Sequence, residues 1–252
     1  CTWSDVVVDK VTDVRMVQGY QNEPPGHHIV VFYTMEKQPP GTQRICQDAD
    51  MASFRFVAGT DGGGAQAMAP ANLVYRIPAG AQIVLNHHYL NATDETMQGQ
   101  SIVNLTYADP GNYIPSNNLA IVDSGLVVGQ GHTTQKMHAT FDSALKLWYM
   151  IPHMHRWGSN IKVNLTQGQT TTTLFDVQWE EGFTFHPPNK TYDPATPLQI
   201  VPGDSMDIEC SWNNNEGRDL VFGFEMCVVF GQFVDDKGVG NRSWDNGTWG
   251  PF

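Results

Sequence analysis

The sequence lacks long apolar runs and carries little charge. Nowhere in its 252 residues is there a stretch of about 18 apolar residues, the length a helix needs to cross a bilayer, so no membrane span is expected. Charged residues make up only 16% of the chain, and the formal net charge is -12. Nucleic acids and anionic membrane surfaces favour basic proteins, so neither is predicted as a partner.

Helical periodicity is also scarce, which points to an all-β protein. Few segments repeat apolar residues every 3.6 positions, whereas short alternating runs and turn residues are common. The best candidate linker lies within residues 108–118, so two domains are predicted, 1–112 and 113–252. Residues 59–69, which contain three consecutive glycines, are predicted to form a flexible surface loop, and residues 220–234 a continuous strand.

The four cysteines suggest an oxidising compartment. Cys1, Cys46, Cys210 and Cys227 allow three pairings, and their positions near opposite ends favour two local bridges, Cys1 to Cys46 and Cys210 to Cys227. The alternative is four free thiols of a cytosolic protein. Six N-x-S/T sequons favour a secreted, oxidised glycoprotein. They begin at Asn91, Asn104, Asn164, Asn189, Asn241 and Asn246. No signal peptide is visible before Cys1, so we expect upstream sequence to have been removed.

The strongest chemical signal is the pair His153 and His155 at the end of an apolar run. Side chains alternate along a strand, so both rings are expected on one face, as half of a metal site. The alternative is a strand that carries two histidines by chance. A single H-x-H is a weak motif, but two further histidine pairs also lie at the edges of β-like runs.

Those pairs are His27-His28 and His87-His88. Neighbouring strand residues face opposite sides, so His27 and His28 can share a metal only if a bulge redirects one or if they use different ring nitrogens. Otherwise one ring points inward and the other to solvent. In the second pair, His88 shares its face with Asn86 and His87 shares the opposite face with Leu85, so only one of the two is expected to be a ligand.

Met226 decides which metal fits best. Imidazole suits zinc, copper, iron and nickel, whereas a thioether favours Cu(I), so a site of His153, His155 and Met226 indicates copper. The alternative is an ordinary core methionine, because Met226 would share a strand face with Phe222 and Phe224.

The ordered set of His27-His28, His88-Tyr89, His153-x-His155 and Met226-Cys227 resembles the copper type II, ascorbate-dependent monooxygenases, the family of peptidylglycine α-hydroxylating monooxygenase and dopamine β-monooxygenase. The resemblance covers nearly the whole chain. It implies two β-sandwich domains of jelly-roll type in tandem. One copper would bind His27, His28 and His88 and supply an electron. The other would bind His153, His155 and Met226 and hydroxylate a substrate C–H bond with O2, using ascorbate as reductant.

The chain departs from that family where the substrate would bind. Peptide-hydroxylating members hold the substrate carboxylate with an arginine two residues before H-x-H and with polar groups just after the methionine. Here those positions are Ile151, Val228 and Phe230. We therefore expect a different small-molecule substrate. Two alternatives stay open: a non-catalytic copper-binding or carrier protein on the same fold, and a glycan- or protein-binding sandwich with incidental histidines.

Overall fold

The computed structural model describes residues 1–22, 26–47, 50, 53–89, 91, 94–184 and 186–251. The predicted turn at Glu23-Pro24-Pro25, the strand end at Leu90 and the terminal Phe252 lie outside them. Strands dominate the described chain, which confirms the all-β prediction, and a short 3-10 helix spans Glu181–Thr184. Among the described helices, none has the length and apolar character needed to cross a membrane.

The chain divides into two compact units, Cys1–Ser116 and Asn117–Phe252. The predicted boundary lay earlier, between residues 112 and 113. The boundary lies later than predicted because the last residues of the predicted linker begin a strand, and the start of that strand pairs with the first unit. The amide of Ile114 donates to the carbonyl of Asn72 at 3.1 Å, and Ile114 pairs in parallel with Leu73.

The first unit is a β-sandwich. Its strands are β1 (Thr2–Val7), β2 (Thr12–Gln21), β3 (Gly26–Thr34), β4 (Arg55–Asp61), β5 (Gly63–Met68), β6 (Leu73–Ile77), β7 (Gln82–Tyr89), β8 (Ser101–Tyr107) and the start of β9 (Ile114–Val122). One sheet has the order β1-β7-β3-β4, and β2 pairs with β5, β6 and β8 in the other. Val14 and Val17 of β2 and Ile29 and Val31 of β3 are fully buried, so each sheet contributes one apolar face to the core.

The predicted loop at residues 59–69 is wrong, since this segment forms the end of β4 and all of β5. β5 pairs with β2 through main-chain hydrogen bonds, which need no large side chains. The glycines serve close approach instead. A Cβ atom at Gly62, in the connection, would lie only 2.6 Å from Oε1 of Gln21 on β2.

The second unit is also a β-sandwich. It contains the rest of β9, β10 (Val127–Val128), β11 (Gly131–Thr140), β12 (Leu145–His153), β13 (Gly158–Gln167), β14 (Thr170–Gln178), β15 (Lys190–Thr191), β16 (Leu198–Ile200), β17 (Ser205–Asn214), β18 (Leu220–Val221), β19 (Val228–Val234), β20 (Arg242–Asp245) and β21 (Thr248–Pro251). One sheet has the order β11-β17-β13-β14, and β12, β19, β9 and β20 lie side by side in the other.

The chain crosses between these two sheets repeatedly, as in a jelly roll: β11 and β13 belong to one sheet, β12 to the other, and β17 and β19 differ in the same way. The buried residues of both sheets form one core, in which Trp212 of β17 and Leu147 of β12 are fully buried. This confirms the β-sandwich prediction for the unit that carries the H-x-H pair.

The predicted strand over residues 220–234 is wrong in its middle. β18 ends at Val221, and a turn separates it from β19. The amides of Phe224 and Glu225 both donate to the carbonyl of Val221, at 3.0 and 3.2 Å, and Gly223 has φ +95°, which a residue with a side chain rarely adopts. The alternation that placed Met226 on one face with Phe222 and Phe224 therefore does not apply.

Candidate metal sites

A β-bulge joins the two neighbouring histidines of the first unit. Gly26 pairs with Tyr89 and His28 pairs with His88, so β3 has one residue, His27, for which β7 has no partner. An extra residue on one strand rotates the chain and changes the direction of the following side chain. Such a bulge is one of the two conditions under which His27 and His28 were expected to be able to share a metal.

The bulge brings three imidazole rings together. Ligand nitrogens of His27, His28 and His88 all lie within 4.8 Å of one another, and all three residues are partly buried. The ring centroids are 5.0 Å apart for His27 and His28, 5.1 Å for His27 and His88, and 4.6 Å for His28 and His88. The rings belong to two adjacent strands of one sheet, so the backbone fixes their spacing.

The nitrogen set fits a transition metal. Two nitrogens bound to one ion at about 2.1 Å lie at most about 4.2 Å apart, so the spacing here closes with side-chain movements below about 1 Å. Three imidazoles suit copper or zinc rather than calcium or magnesium. The donor chemistry of this cluster is therefore compatible with the copper that the sequence predicted.

Gln21 holds the two ligand-bearing strands in place. Its side chain is buried, with Oε1 accepting a 2.7 Å hydrogen bond from the amide of His27. Its Nε2 donates to the carbonyl of His88 and to Oγ of Ser101, both at 3.2 Å. The side-chain amide of Gln21 thus forms hydrogen bonds with the main chain of both His27 and His88.

His87 lies apart from the cluster. Its Nε2 is 3.0 Å from Oγ1 of Thr2, and its ring stacks on Tyr89 at a centroid distance of 6.1 Å. Burial lowers the pKa of the His87 imidazole, because the charged form loses hydration. Of the two neighbouring histidines, the structure brings His88 to the cluster, which is the one that the family resemblance implied.

In the second unit, His153 and His155 lie side by side at the end of β12. Their ring centroids are 5.1 Å apart and nearly perpendicular, at 87°. Both residues are partly exposed, while Pro152 and Met154 are buried, so the alternation predicted for this segment is present. Nδ1 of His155 lies 2.9 Å from the carbonyl oxygen of Phe224. A carbonyl only accepts, so Nδ1 carries the proton and Nε2 is left with its lone pair for a metal.

Glu225 brings the segment around Met226 to these histidines. Its carboxylate is fully buried, and Oε2 accepts hydrogen bonds from the amides of His155 at 3.1 Å and Met226 at 3.0 Å. Oε2 also accepts from Nε1 of Trp212 at 2.7 Å, and Oε1 accepts from the amide of Trp157 at 3.2 Å. The main chains of His155 and Met226 therefore meet at one oxygen atom.

Met226 is not a core residue. Glu225 and Cys227 are buried on either side of it, while Met226 itself is partly exposed. Cys227 forms a disulfide with Cys210 of β17, and the other bridge joins Cys1 to Cys46, so both predicted bridges are confirmed. The two disulfides indicate an oxidising, non-cytosolic environment.

Sequence reasoning missed the residues that support the candidate ligands. Glu225 gave a signal, since a carboxylate within an apolar run is either exposed or specifically bonded. Gln21 gave none, because its role depends on the register that brings β3 and β7 together, and a lone glutamine in a strand is unremarkable.

Comparison with known proteins adds no functional information. No protein family model matches the chain, and no curated protein matches it. Among solved structures, that of infectious bursal disease virus Gx strain is 10% identical with a TM-score of 0.26, over 92% of this chain and 60% of that one. A223, a turret protein in Sulfolobus turreted icosahedral virus, is 12% identical with a TM-score of 0.25, over 92% and 91% of the chains. Likeness at these TM-scores supports no inference.

Proposed function

We propose that this protein is a copper-dependent monooxygenase that hydroxylates a C–H bond of a small molecule with O2, using a reductant such as ascorbate. The observation that carries the proposal is the difference between the two ligand sets. The first unit gathers three imidazoles, and the second pairs the rings of His153 and His155 and brings the main chains of His155 and Met226 to one carboxylate oxygen. A nitrogen-only site suits a copper that changes oxidation state, and a thioether favours Cu(I).

His27, His28 and His88 would hold one copper, and His153, His155 and Met226 the other. Bound copper would supply the redox chemistry: O2, two electrons from ascorbate and two protons convert the C–H bond to C–OH and release water. The protein's own contribution is to fix the donors. The bulge at His27 directs three rings to one point, and the bond from Nδ1 of His155 to the Phe224 carbonyl orients that ring and leaves Nε2 as the nitrogen available to a metal.

The surface beside His153 favours an uncharged substrate. Ile151 pairs with Phe230 and His153 pairs with Val228 on adjacent strands, and the Phe230 ring centroid is 6.1 Å from that of His153. These side chains provide apolar contacts and no cation that would bind a carboxylate. An apolar small molecule is therefore the substrate class that we propose.

Copper binding and O2 consumption test this function. Anaerobic dialysis against Cu(I) is expected to load two ions, and X-ray absorption is expected to detect sulfur that Met226→Ala removes. Ascorbate-driven O2 consumption in the presence of apolar substrates should exceed that of free copper and be lost in His153→Ala. The exposed His132, which contacts Asn213, offers His132→Ala as a matched control. Unchanged O2 consumption in His153→Ala would contradict the mechanism.

A non-catalytic copper carrier on the same fold is the second candidate. It is favoured by the apolar residues Ile151, Val228 and Phe230, at positions where the peptide-hydroxylating relatives are expected to anchor their substrate. A carrier should load copper with the same sulfur signature but show no reductant-linked O2 consumption above that of free copper. The same two measurements thus separate the candidates.

We also propose that the protein is a secreted glycoprotein. Asn104 and Asn189 are exposed at the start of their sequons, whereas the side chain of Asn241 accepts a hydrogen bond from the amide of Asn118 at 2.8 Å. A carboxamide that is already bonded and partly buried is a poor glycan acceptor. Mass spectrometry of protein secreted from a eukaryotic host should find glycans at Asn104 and Asn189 but not at Asn241.

A further inference from the structure

We propose that Glu225 is a positioning residue, which fixes Met226 relative to His155 and so determines the sulfur ligation of the second site. The inference rests on the proposed function for its copper ligands, but its geometric part concerns the metal-free protein. Glu225 is not itself proposed as a ligand. Its two oxygens already accept hydrogen bonds from three main-chain amides and one indole N–H.

The chemistry of these partners requires a carboxylate. All four are N–H donors, so the residue at this position must accept at both oxygen atoms. None of the salt bridges among the described residues includes Glu225, so these N–H groups provide the compensation that a buried carboxylate needs. A glutamine would place an NH2 group against other donors and leave at least one of them without an acceptor.

Glu225 holds together the two chain segments that lie beyond the last paired residues of β12 and β19. The ladder between β12 and β19 finishes at the pair His153 and Val228. If this ladder continued for two more residues in the same register, His155 would lie opposite Met226. The chain turns away there, and the shared bonds to Oε2 replace the ladder hydrogen bonds. The carboxylate therefore sets the distance between a histidine ligand and the methionine.

The carboxylate is anchored to the opposite sheet. Trp212 and Cys210 lie two residues apart on β17, so both face the core. Trp212 donates to Glu225, and Cys210 forms the disulfide with Cys227. Met226 thus lies between two residues that are both tied to β17. Its own side chain is the partly exposed one of the three.

The geometric test uses the metal-free protein. Because the amides of His155 and Met226 donate to one oxygen, their protons should give a nuclear Overhauser effect in isotope-labelled wild type. Glu225→Leu, which removes both acceptor oxygens, should lose this effect, and Glu216→Leu should keep it. Glu216 is a matched control, since it is exposed and accepts a bond from the Trp157 side chain at 3.1 Å. Persistence of the effect in Glu225→Leu would overturn the positioning role.

The copper test measures the consequence. Glu225→Leu should weaken Cu(I) binding at the second site by about 10- to 100-fold, the usual effect of losing a residue that orients metal ligands, and should reduce the sulfur signal. The three-histidine site should keep its affinity, which excludes general unfolding as the cause. Wild-type sulfur ligation that survives in Glu225→Leu would overturn the proposal.

A second variant covers the case in which Glu225→Leu does not fold. Trp212→Phe keeps a large core ring but removes one donor to Oε2, and it should weaken both the amide contact and the sulfur signal. If neither changes, the positioning role is wrong. If wild type takes up no sulfur-ligated copper, the proposed metal site fails, and the amide contact in the metal-free variants still decides whether Glu225 positions Met226.

Discussion

His28 and His88 lie directly opposite each other on adjacent antiparallel strands, with ring centroids 4.6 Å apart and ring planes at 86°. Directly paired residues have the shortest separation available across a sheet, and the backbone holds it without help from loops. Two of the three rings in the first histidine cluster are therefore held by regular strand pairing. Only His27, which the bulge adds, depends on an irregular feature.

Removing one ring from this cluster should remove one copper. His28→Ala leaves two imidazoles, too few to hold the ion against a competing chelator, so copper stoichiometry after anaerobic dialysis should fall from two to one. The sulfur signal in X-ray absorption should become stronger per copper, because the remaining ion is the one beside Met226. Loss of both ions, or of neither, would show that the two ligand sets are not independent sites.

Gln21 should matter for both stability and metal affinity. Gln21→Leu removes bonds to the main chain at His27 and His88, and leaving these buried groups unsatisfied should cost about 1–3 kcal/mol of unfolding free energy. Copper affinity of the first site should fall with it. Gln18 provides the control on the same strand, since it donates to Gly64 only at the sheet edge. Urea unfolding of metal-free Gln21→Leu and Gln18→Leu should differ clearly, and equal values would contradict this role.

The Cys210 to Cys227 bridge should support the second site specifically. The residues are 17 positions apart, and a loop of this length corresponds to about 3 kcal/mol in the chain-entropy account of disulfides. Replacing both cysteines with serine should lower the melting temperature and weaken the sulfur signal of Cu(I)-loaded protein. The same change at Cys1 and Cys46 should lower stability but leave that signal intact. If neither double variant alters the sulfur signal, the bridge between Cys210 and Cys227 does not support the second metal site.

One surface ion pair should make stability depend on pH. Hydrogen bonding to Arg242 lowers the pKa of Asp142, so in acid the unfolded chain binds a proton more readily than the folded protein. The contribution is present above the unfolded pKa of about 4 and is lost as the pH falls through the lower folded pKa. Asp142 is half exposed, so solvent screening limits the effect to below about 1 kcal/mol.

Asp142→Asn should therefore destabilise metal-free protein at pH 7 and have a smaller effect near pH 2.5. Equilibrium urea unfolding at both values measures the difference. Asp219→Asn removes the same charge from an exposed carboxylate and serves as the control. If Asp142→Asn destabilised the protein more as the pH falls, the pH dependence would be opposite to that expected for the pair of Asp142 and Arg242.

Peptides ending in glycine should bind no better than their C-terminal amides. Ile151 and Phe230 are paired beside His153, and neither supplies the charge that a free carboxylate requires. Calorimetric titration of the copper-loaded protein with a peptide and its amide should give equally weak signals. Tight binding of the free acid alone would refute the apolar substrate class.

The sequence predicted what depends on local pattern. Alternation placed His153 and His155 on one face, and cysteine spacing gave both bridges, because strand periodicity and chain proximity are properties of neighbouring residues. The turn at Gly223 was missed because an apolar run conceals a break when a single glycine provides it. Gln21 and Glu225 could not be assigned, because their partners are determined by pairing between distant segments.

The bulge at His27 has a consequence for how this architecture can vary. Deleting that one residue would restore the regular pairing of β3 with β7, and the sandwich core would keep its buried residues. The three-ring cluster would be lost, while the fold would stay the same. The histidine cluster and the architecture thus depend on different residues of this chain. A relative with the same sheets but without the extra residue would be expected to have kept the shape and lost the site.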